Sequence, residues 1–355
     1  LLSKFIALAT PKPIFAVPRQ AIEPVGLTAL DQLFTQISIA QIDPTASLHA
    51  APTIIFPDKV PPSFANFIEE GRCLILVGGK GGVGKTTVAA AIAWGMAEQH
   101  PTQKVRVISI DPAHSLGDAL GTMLAHEPTA LSENLSGQEV DAKQVLEQFR
   151  NDYLWELAEM MSGDSEDESI KVAYGPEAWR QIVSQALPGI DEMLSLITVI
   201  DLLEQGEQSL IILDTAPTGH LLRFLEMPTA LGDWLAWIFK LWIKYQDVVG
   251  RTDFMGRLRT LRQRVMQAQK KLKDPKHTEF IGVLQAQSAI VAEAERLAES
   301  LEKLSISQRY VVQNRYQPDQ VLSANFPNQT IVRLPELPRA IEPLQQIQGA
   351  AKLLF

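Results

Sequence analysis

Cysteine, long apolar runs and an excess of positive charge are all scarce in this sequence, and each shortage excludes a class of protein. Cys73 is the only cysteine, so one chain can build neither a disulfide framework nor a metal site with several cysteine ligands. No apolar run approaches the roughly 18 residues of a membrane-spanning helix. Acidic residues outnumber basic residues by 41 to 32, which argues against a nucleic-acid partner, since general nucleic-acid binders are usually basic. A reducing, cytoplasmic compartment fits the single cysteine.

What the sequence does contain is a regular alternation of short apolar runs and helical patterns. With 46% hydrophobic and 21% charged residues among 355, the composition is that of a soluble globular protein with a large core. Strands that alternate with helices predict an α/β fold with a doubly wound, mostly parallel sheet, in which ligands bind beyond the carboxyl ends of the strands. The predicted strands are Leu74–Val77, Val105–Ile110, Leu210–Asp214, Phe280–Ala286, Tyr310–Asn314 and Thr330–Pro335.

A glycine-rich loop follows the first predicted strand and has the phosphate-loop pattern G-x-x-x-x-G-K-[ST]. Glycines let successive backbone N–H groups point at phosphate oxygens, and the next helix adds its positive amino end. Lys85 is expected to reach the β- and γ-phosphates of ATP, and the hydroxyl of Thr86 to bind Mg²⁺. The candidate nucleotide-binding residues of this loop are Gly79, Lys80, Gly81, Gly82, Val83, Gly84, Lys85, Thr86 and Thr87.

Lys80 is a second lysine inside the loop. The segment K-G-G-V-G-K-T resembles the deviant phosphate loop of the family that includes the nitrogenase iron protein, MinD, and the arsenite-pump and tail-anchored-protein-targeting ATPases. The resemblance implies that Lys80, with Lys85, is catalytic. Lys80 would cross a dimer interface and stabilise the negative charge of phosphoryl transfer on the other subunit's nucleotide. The partner would be a second ATPase unit, in a homodimer or a tandem repeat. The alternative is a lysine that faces solvent.

Two further segments, D-P-A-H-S-L-G-D-A-L from Asp111 and D-T-A-P-T-G-H from Asp214, narrow the resemblance. They resemble the switch segments of the arsenite-pump and tail-anchored-targeting ATPases. The resemblance implies that Asp111 orients the attacking water. It also implies that Asp214 holds Mg²⁺ through a water, while Thr86 binds the ion directly. The other candidate switch residues are His114, Asp118, Pro217, Thr218, Gly219 and His220, of which His220 has a packing role as its alternative.

The segment V-V-Q-N-R-Y, near the end of the chain, resembles a family segment whose asparagine hydrogen-bonds adenine. Asn314 is the candidate, because an amide offers both a donor and an acceptor to the base. Some relatives have the two amides in reversed order, so Gln313 is the alternative. Pro335 is expected to pack on the adenine ring.

Two mainly helical segments, at about 120–205 and 229–278, interrupt the alternation and are expected to form a helical subdomain inserted around the sheet. A tryptophan-rich stretch, residues 233–245, either packs in the core or lines an apolar groove for a partner. The helical pattern that follows, residues 251–276, has a basic face. That face is either solvated or directed at an acidic membrane surface or partner.

A faint internal repeat relates Ile14–Phe34 to Ile331–Phe355. Both stretches read as a strand, a proline, the letters A-I-E-P and a helix. The repeat predicts that residues 1–34 are a remnant of an upstream ATPase repeat, 35–70 a linker and 71–355 the ATPase domain. Chance similarity between two amphipathic ends is the alternative. The absence of an initiator methionine also fits a fragment or a trimmed chain.

The cysteines depart from the family pattern. Members that pump arsenite bind the metalloid through cysteine thiolates, and eukaryotic targeting members clamp their dimer with zinc on a C-x-x-C pair. This chain has only Cys73, which precedes a predicted strand and is expected to be a core residue. Arsenite binding of that type is therefore not expected.

The resemblance as a whole implies Mg²⁺-dependent hydrolysis of ATP by a cytoplasmic protein. A dimeric cycle of opening and closing would deliver a tail-anchored membrane protein, whose transmembrane segment is the client. Two alternatives remain open: the soluble ATPase motor of an arsenite or anion efflux pump, and a nucleotide-gated scaffold.

Overall fold

The computed structural model describes residues 12–18, 26–39, 55–111, 115–141, 190–215, 252–320, 326–338 and 341–355, with a few isolated positions between them. The chain divides into two compact units, Leu1–Ile54 and Ile55–Phe355. Elements are numbered here along the described residues. Within that part of the chain, no helix combines the length and the apolar character that crossing a membrane would need.

The first unit contains a two-stranded antiparallel ladder and one helix. Strand β1 (Phe15–Ala16) pairs with β2 (Ser38–Ile39), and α1 (Leu27–Thr35) lies between them in sequence. No residue of α1 is buried. The order of strand and helix matches the pattern on which the repeat rests, and descent from an upstream ATPase copy stays a prediction.

The second unit is built on an eight-stranded sheet. Its strands are β3 (Leu74–Gly78), β4 (Val105–Ser109), β5 (Thr129–Ala130), β6 (Leu135–Glu139), β7 (Leu210–Asp214), β8 (Thr278–Leu284), β9 (Tyr310–Tyr316) and β10 (Thr330–Pro335). They lie in the order β10-β9-β8-β3-β7-β4-β6-β5. All neighbouring strands are parallel except β5, which runs antiparallel to β6. This confirms the predicted α/β fold with a mostly parallel sheet.

Helices pack against the central strands, and the strands are apolar on both faces for this reason. Every residue of β3 and β7 is buried, as expected for parallel strands covered on each side. The alanine-rich α2 contacts β3, β4 and β7, while α5 and α6 contact β8. The helices of this unit are α2 (Lys85–Gln99), α3 (Ser115–Leu120), α4 (Ile190–Glu204), α5 (Thr252–Lys273), α6 (Ser288–Lys303) and α7 (Pro343–Leu354).

The compact unit begins at Ile55, earlier than the residue 71 expected from the sequence. Phe64 and Phe67 are buried and their rings pack against those of Tyr310 and Phe355. Burial of these two aromatic side chains attaches residues 55–70 to the core, so this stretch is not a free linker. The proline-rich composition of this stretch favoured a linker, although Phe64 and Phe67 anchor it to the core.

The two expected helical insertions are described only in part. Residues 129–139, within the segment expected to be helical, instead form β5 and β6 at one edge of the sheet. Helix α4 closes the first segment and α5 occupies the described part of the second. Apart from Ala236, the tryptophan-rich stretch 233–245 lies outside the described residues.

A buried carboxylate joins the amino ends of the strands to the segment before β3. Glu279 is fully buried and accepts hydrogen bonds from the backbone N of Arg309 at 2.7 Å and its Nε at 2.6 Å. The Nε of Arg72 lies 3.4 Å from the same carboxylate. Arg309 also pairs with Glu70, Nη2 to Oε2 2.6 Å, and this hydrogen bond lowers the pKa of Glu70.

We predict that Glu279→Gln lowers the free energy of unfolding by about 2–3 kcal/mol. That is below the roughly 3–5 kcal/mol for breaking a fully buried ion pair, because Arg309 keeps solvent contact. Denaturant unfolding measures it. Glu69→Gln, the same change at an exposed position, should cost less than about 0.5 kcal/mol. Equal losses of unfolding free energy in the two variants would show that the buried hydrogen bonds of Glu279 do not stabilise the fold.

Candidate nucleotide site

The loop Gly79–Gly84 joins the carboxyl end of β3 to the first turn of α2. Gly79 has a φ of 149° and Gly84 a φ of 94°, conformations that favour glycine. A Cβ at Gly79 would overlap the carbonyl oxygen of Val283, and one at Gly84 would overlap Nδ2 of Asn314. The loop can therefore lie this close to β8 and β9 only with glycine at both positions.

The other predicted residues of the loop occupy different environments. Gly81 and Gly82 are exposed at its tip, Val83 is buried, and Thr87 is half-buried in the first turn of α2. The Nε2 of Gln285, just beyond β8, lies 3.4 Å from the carbonyl oxygen of Gly82 and donates to it. The end of β8 thus supports the tip as well as the start of the loop.

Lys85 is the first residue of α2 and is 5% exposed. Its Nζ donates to the carbonyl oxygen of Lys80 at 3.4 Å, so the side chain turns back over the loop. A buried ammonium, a glycine loop and the positive amino end of a helix together form a site for an anion such as a phosphate group.

Three parallel strands bring a cluster of oxygen atoms to the start of α2. The Oγ1 of Thr86 donates to Oδ2 of Asp214 at 2.8 Å and lies 3.1 Å from Oγ of Ser115. The hydroxyl of Ser109 donates to the same Oδ2 at 3.3 Å. Asp214 pairs with Val77 on β3 and with Ser109 on β4. The sheet register therefore sets the place of the carboxylate.

Asp214 is fully buried, and its burial raises its pKa to about 7. Hydrogen bonds from Thr86 and Ser109 and the charge of Lys85 act in the opposite direction, while the charge of Asp111 raises the pKa further. Within the described part of the chain, Oδ1 of Asp214 is buried without a hydrogen-bond partner. A buried carboxylate with one unsatisfied oxygen is therefore open to a cationic ligand.

The donor set around Asp214 fits Mg²⁺. Hard cations take carboxylate and hydroxyl oxygens, and Mg²⁺ is commonly held by one or two carboxylates together with waters and phosphate oxygens. Over the described ranges, no three His, Cys, Asp or Glu side chains group together as a metal site. A cation here would accordingly share Asp214 and Thr86 with oxygens of the bound nucleotide.

The first switch segment is described at its two ends. Asp111 is half-buried just beyond β4, and its backbone N donates to Oγ of Ser109 at 3.3 Å. Asp118, on α3, is exposed. His114 and the second switch, residues 217–220, lie outside the described residues.

The two amides predicted to read adenine differ in their partners. Asn314 donates from Nδ2 to the carbonyl oxygen of Val83 at 2.8 Å, and its Oδ1 accepts from the N of Arg315 at 2.9 Å. Gln313 is 2% exposed, and its Nε2 has no partner among the residues described. Pro335 is buried at the end of β10. Asn314 thus holds the phosphate loop in this structure, whereas the amide nitrogen of Gln313 is unused.

Lys80 lies on the outer side of the loop. Its Nζ is 3.6 Å from Oε2 of Glu293 on α6, and the two side chains are 42% and 27% exposed. The ammonium of this second lysine is therefore directed at a neighbouring helix, in contrast with that of Lys85.

Sequence reasoning missed four contributors to the site. Ser115 carried a signal, because it is a hydroxyl residue inside the first switch motif, at the start of a helix. Ser109 also had one, since it precedes Asp111 at a strand end. Gln285 and Glu293 had none, because they meet the loop from about 200 residues further along the chain.

We predict that Asn314→Ala weakens binding of all nucleoside triphosphates alike, by roughly 5- to 30-fold, because the carbonyl of Val83 loses its donor. Titration with ATP and GTP measures it. Asn328→Ala, the same truncation at an exposed position, is the matched control and should bind as wild type. A loss confined to ATP would instead make Asn314 a reader of the base.

We also predict that Asp214→Asn abolishes the part of ATP affinity that depends on Mg²⁺, because a neutral amide replaces the buried carboxylate that accepts a hydrogen bond from Thr86. Measuring the affinity for ATP with Mg²⁺ and again with a chelator gives the Mg²⁺-dependent part as the difference. Asp58→Asn, the same change at an exposed carboxylate in the segment before β3, should keep the Mg²⁺ effect. An undiminished Mg²⁺ effect in Asp214→Asn would remove Asp214 from the cation site.

Comparison with known proteins identifies a family and relatives for this chain. Residues 72–330 match the family described as anion-transporting ATPase. The relatives include "ATPase GET3" of Malassezia globosa, 30% identical over 283 residues that cover 75% of this chain and 79% of the relative. They also include "ATPase GET3" of Candida glabrata, 32% identical over 273 residues that cover 71% of this chain and 73% of the relative.

Both comparisons confirm the resemblance that the phosphate loop and the two switch motifs predicted. The family match spans the loop, the cluster around Asp214 and the end of β9. This chain belongs to the anion-transporting ATPase family, and it hydrolyses ATP.

Proposed function

We propose that two copies of this ATPase unit close face to face around ATP and Mg²⁺, and that the cycle delivers a tail-anchored membrane protein in the cytoplasm. Lys80 carries the first half of the proposal, because its ammonium lies outside its own phosphate loop. The relatives named ATPase GET3 and the resemblance to the tail-anchored-targeting ATPases support the second half.

Within one unit, each described residue has a role that suits its position. The loop backbone and the ammonium of Lys85 hold the β- and γ-phosphates. Thr86 and Asp214, which lie together at the start of α2, would hold Mg²⁺. The ion supplies positive charge against the charge that develops on the γ-phosphate. Asp111 accepts a hydrogen bond from the attacking water and orients it.

Hydrolysis in this scheme needs the second unit. Lys85 occupies the inside of the loop, whereas the half-exposed Lys80 is turned towards α6. A cation in that position reaches the nucleotide of a facing unit more readily than its own. Delivered there, it stabilises transition-state charge in trans. The facing unit is a second copy or a tandem repeat of this ATPase.

A membrane-protein client suits this chain better than arsenite. A soft metalloid needs several thiolates, and the only thiol is the half-buried Cys73. Burial raises the pKa of that thiol, which makes its thiolate scarce. The tryptophan-rich stretch expected to line a client groove, residues 233–245, lies outside the described residues apart from Ala236, so the groove rests on the sequence.

Capture of a client by a slow variant tests the proposal. We predict that Asp111→Asn keeps ATP bound and slows turnover at least about 100-fold, the scale of lost acid–base assistance. Expressed with a model tail-anchored segment, this variant should recover the segment with ATP and lose it when nucleotide is removed. Co-purification and a turnover assay on the same sample measure both effects.

Two controls keep this test sharp. Lys85→Ala, which loses the phosphate-binding ammonium, should recover no segment, and neither should wild type offered a segment whose apolar helix is broken by charges. Failure to recover the segment in any nucleotide state, by protein that hydrolyses ATP, would reject the delivery role. Unchanged turnover in Asp111→Asn would remove Asp111 from the mechanism.

A further inference from the structure

Glu293 is the acidic partner of Lys80, and the surroundings of the phosphate loop fix where it stands. Helix α6 begins at Ser288, shortly after β8 ends at Leu284. The end of β8 contacts the loop twice, through the carbonyl of Val283 near Gly79 and through Gln285 on Gly82. The first turns of α6 are thereby held beside the loop, and Glu293 meets Lys80 there at 3.6 Å.

The Lys80 ammonium has one described ionic partner. Over the described ranges, the ammonium of Lys80 forms an ion pair with Glu293. The hydrogen bond between the two lysines involves the backbone carbonyl of Lys80 and not its ammonium. Neighbouring Glu295 and Glu299 line a separate cavity with Glu302 and Gln308, and neither Lys80 nor Glu293 lines it. The carboxylate opposite Lys80 is therefore a single side chain rather than part of a diffuse acidic face.

We propose that Glu293 is a positioning residue that holds Lys80 in the isolated unit and releases it to the nucleotide of a second unit. This rests on the proposed function, in which Lys80 acts in trans. The carboxylate and the triphosphate of the facing unit compete for one ammonium. Lys80 changes partner only when the facing unit presents the larger negative charge, which is the charge of bound nucleotide.

The exchange is reversible because the pair is weak. Breaking an ion pair between half-exposed side chains changes an association constant by only about two- to fivefold. The attraction between an ammonium and a phosphate in a closed interface is stronger. Glu293 accordingly weakens the pairing of nucleotide-loaded units by that factor without blocking it, and it leaves the pairing of nucleotide-free units unchanged. Glu293 therefore affects how strongly two units associate, whereas Lys80 is the residue that contacts the nucleotide.

The test measures ATP turnover per chain across a range of protein concentrations, with Glu293→Gln as the neutral isostere. The expected result is a half-saturating protein concentration two- to fivefold lower than that of wild type. Sedimentation with a non-hydrolysed ATP analogue should show a matching gain in self-association, whereas without nucleotide Glu293→Gln should associate as wild type does. Glu293→Asp, which keeps the charge, should fall between the two. Glu299→Gln, an exposed glutamate of the same helix, should behave as wild type.

Lys80→Ala separates a failure of this inference from a failure of the proposed function. Wild-type turnover of Lys80→Ala at every concentration would remove the trans role itself. If Lys80→Ala loses turnover while Glu293→Gln matches wild type or associates more weakly, only the role of Glu293 is overturned. The double variant must equal Lys80→Ala, because Glu293 acts through the lysine. A further effect of Glu293→Gln in that background would show a merely structural role and overturn the proposal.

Discussion

Asp214 stands between Val77 of β3 and Ser109 of β4, and the pairing of these three parallel strands holds it there. Val77 leads into the phosphate loop and Ser109 leads to Asp111, so one register fixes the buried carboxylate relative to both. A slip of one residue in β7 would turn Asp214 to the opposite face of the sheet. The contact with Thr86 would then be lost, and the cluster with it.

The same strands give the site its electrostatic character. Their apolar side chains are buried on both faces, which keeps water away from Asp214 and raises its pKa to about 7. An oxygen left without a partner in such a place costs stability. A large, well-packed unit tolerates that cost, and the unsatisfied oxygen is the feature that suits a cation. The phosphate loop, in contrast, depends on contacts from outside its own segment, notably Asn314 and the end of β8.

Local patterns predicted the sheet and the loop because each is written in consecutive residues. Apolar runs such as Leu210–Asp214 identify buried strands, and the loop pattern places Lys85 and Thr86 at a helix start. The strands within residues 129–139 were not predicted, because β5, the edge strand, and its neighbour β6 contain few apolar residues. The burial of Phe64 and the pairing of Lys80 with Glu293 depend on segments about 200 to 300 residues apart, and no local pattern encodes such contacts.

The ends of the second unit meet in its core. The backbone N of Phe64 donates to the carbonyl oxygen of Leu354 at 3.0 Å, and the rings of Phe64 and Phe355 lie 5.6 Å apart between centroids. A fold whose entry and exit adjoin can be duplicated along one polypeptide, or set into another protein, without stretching either copy.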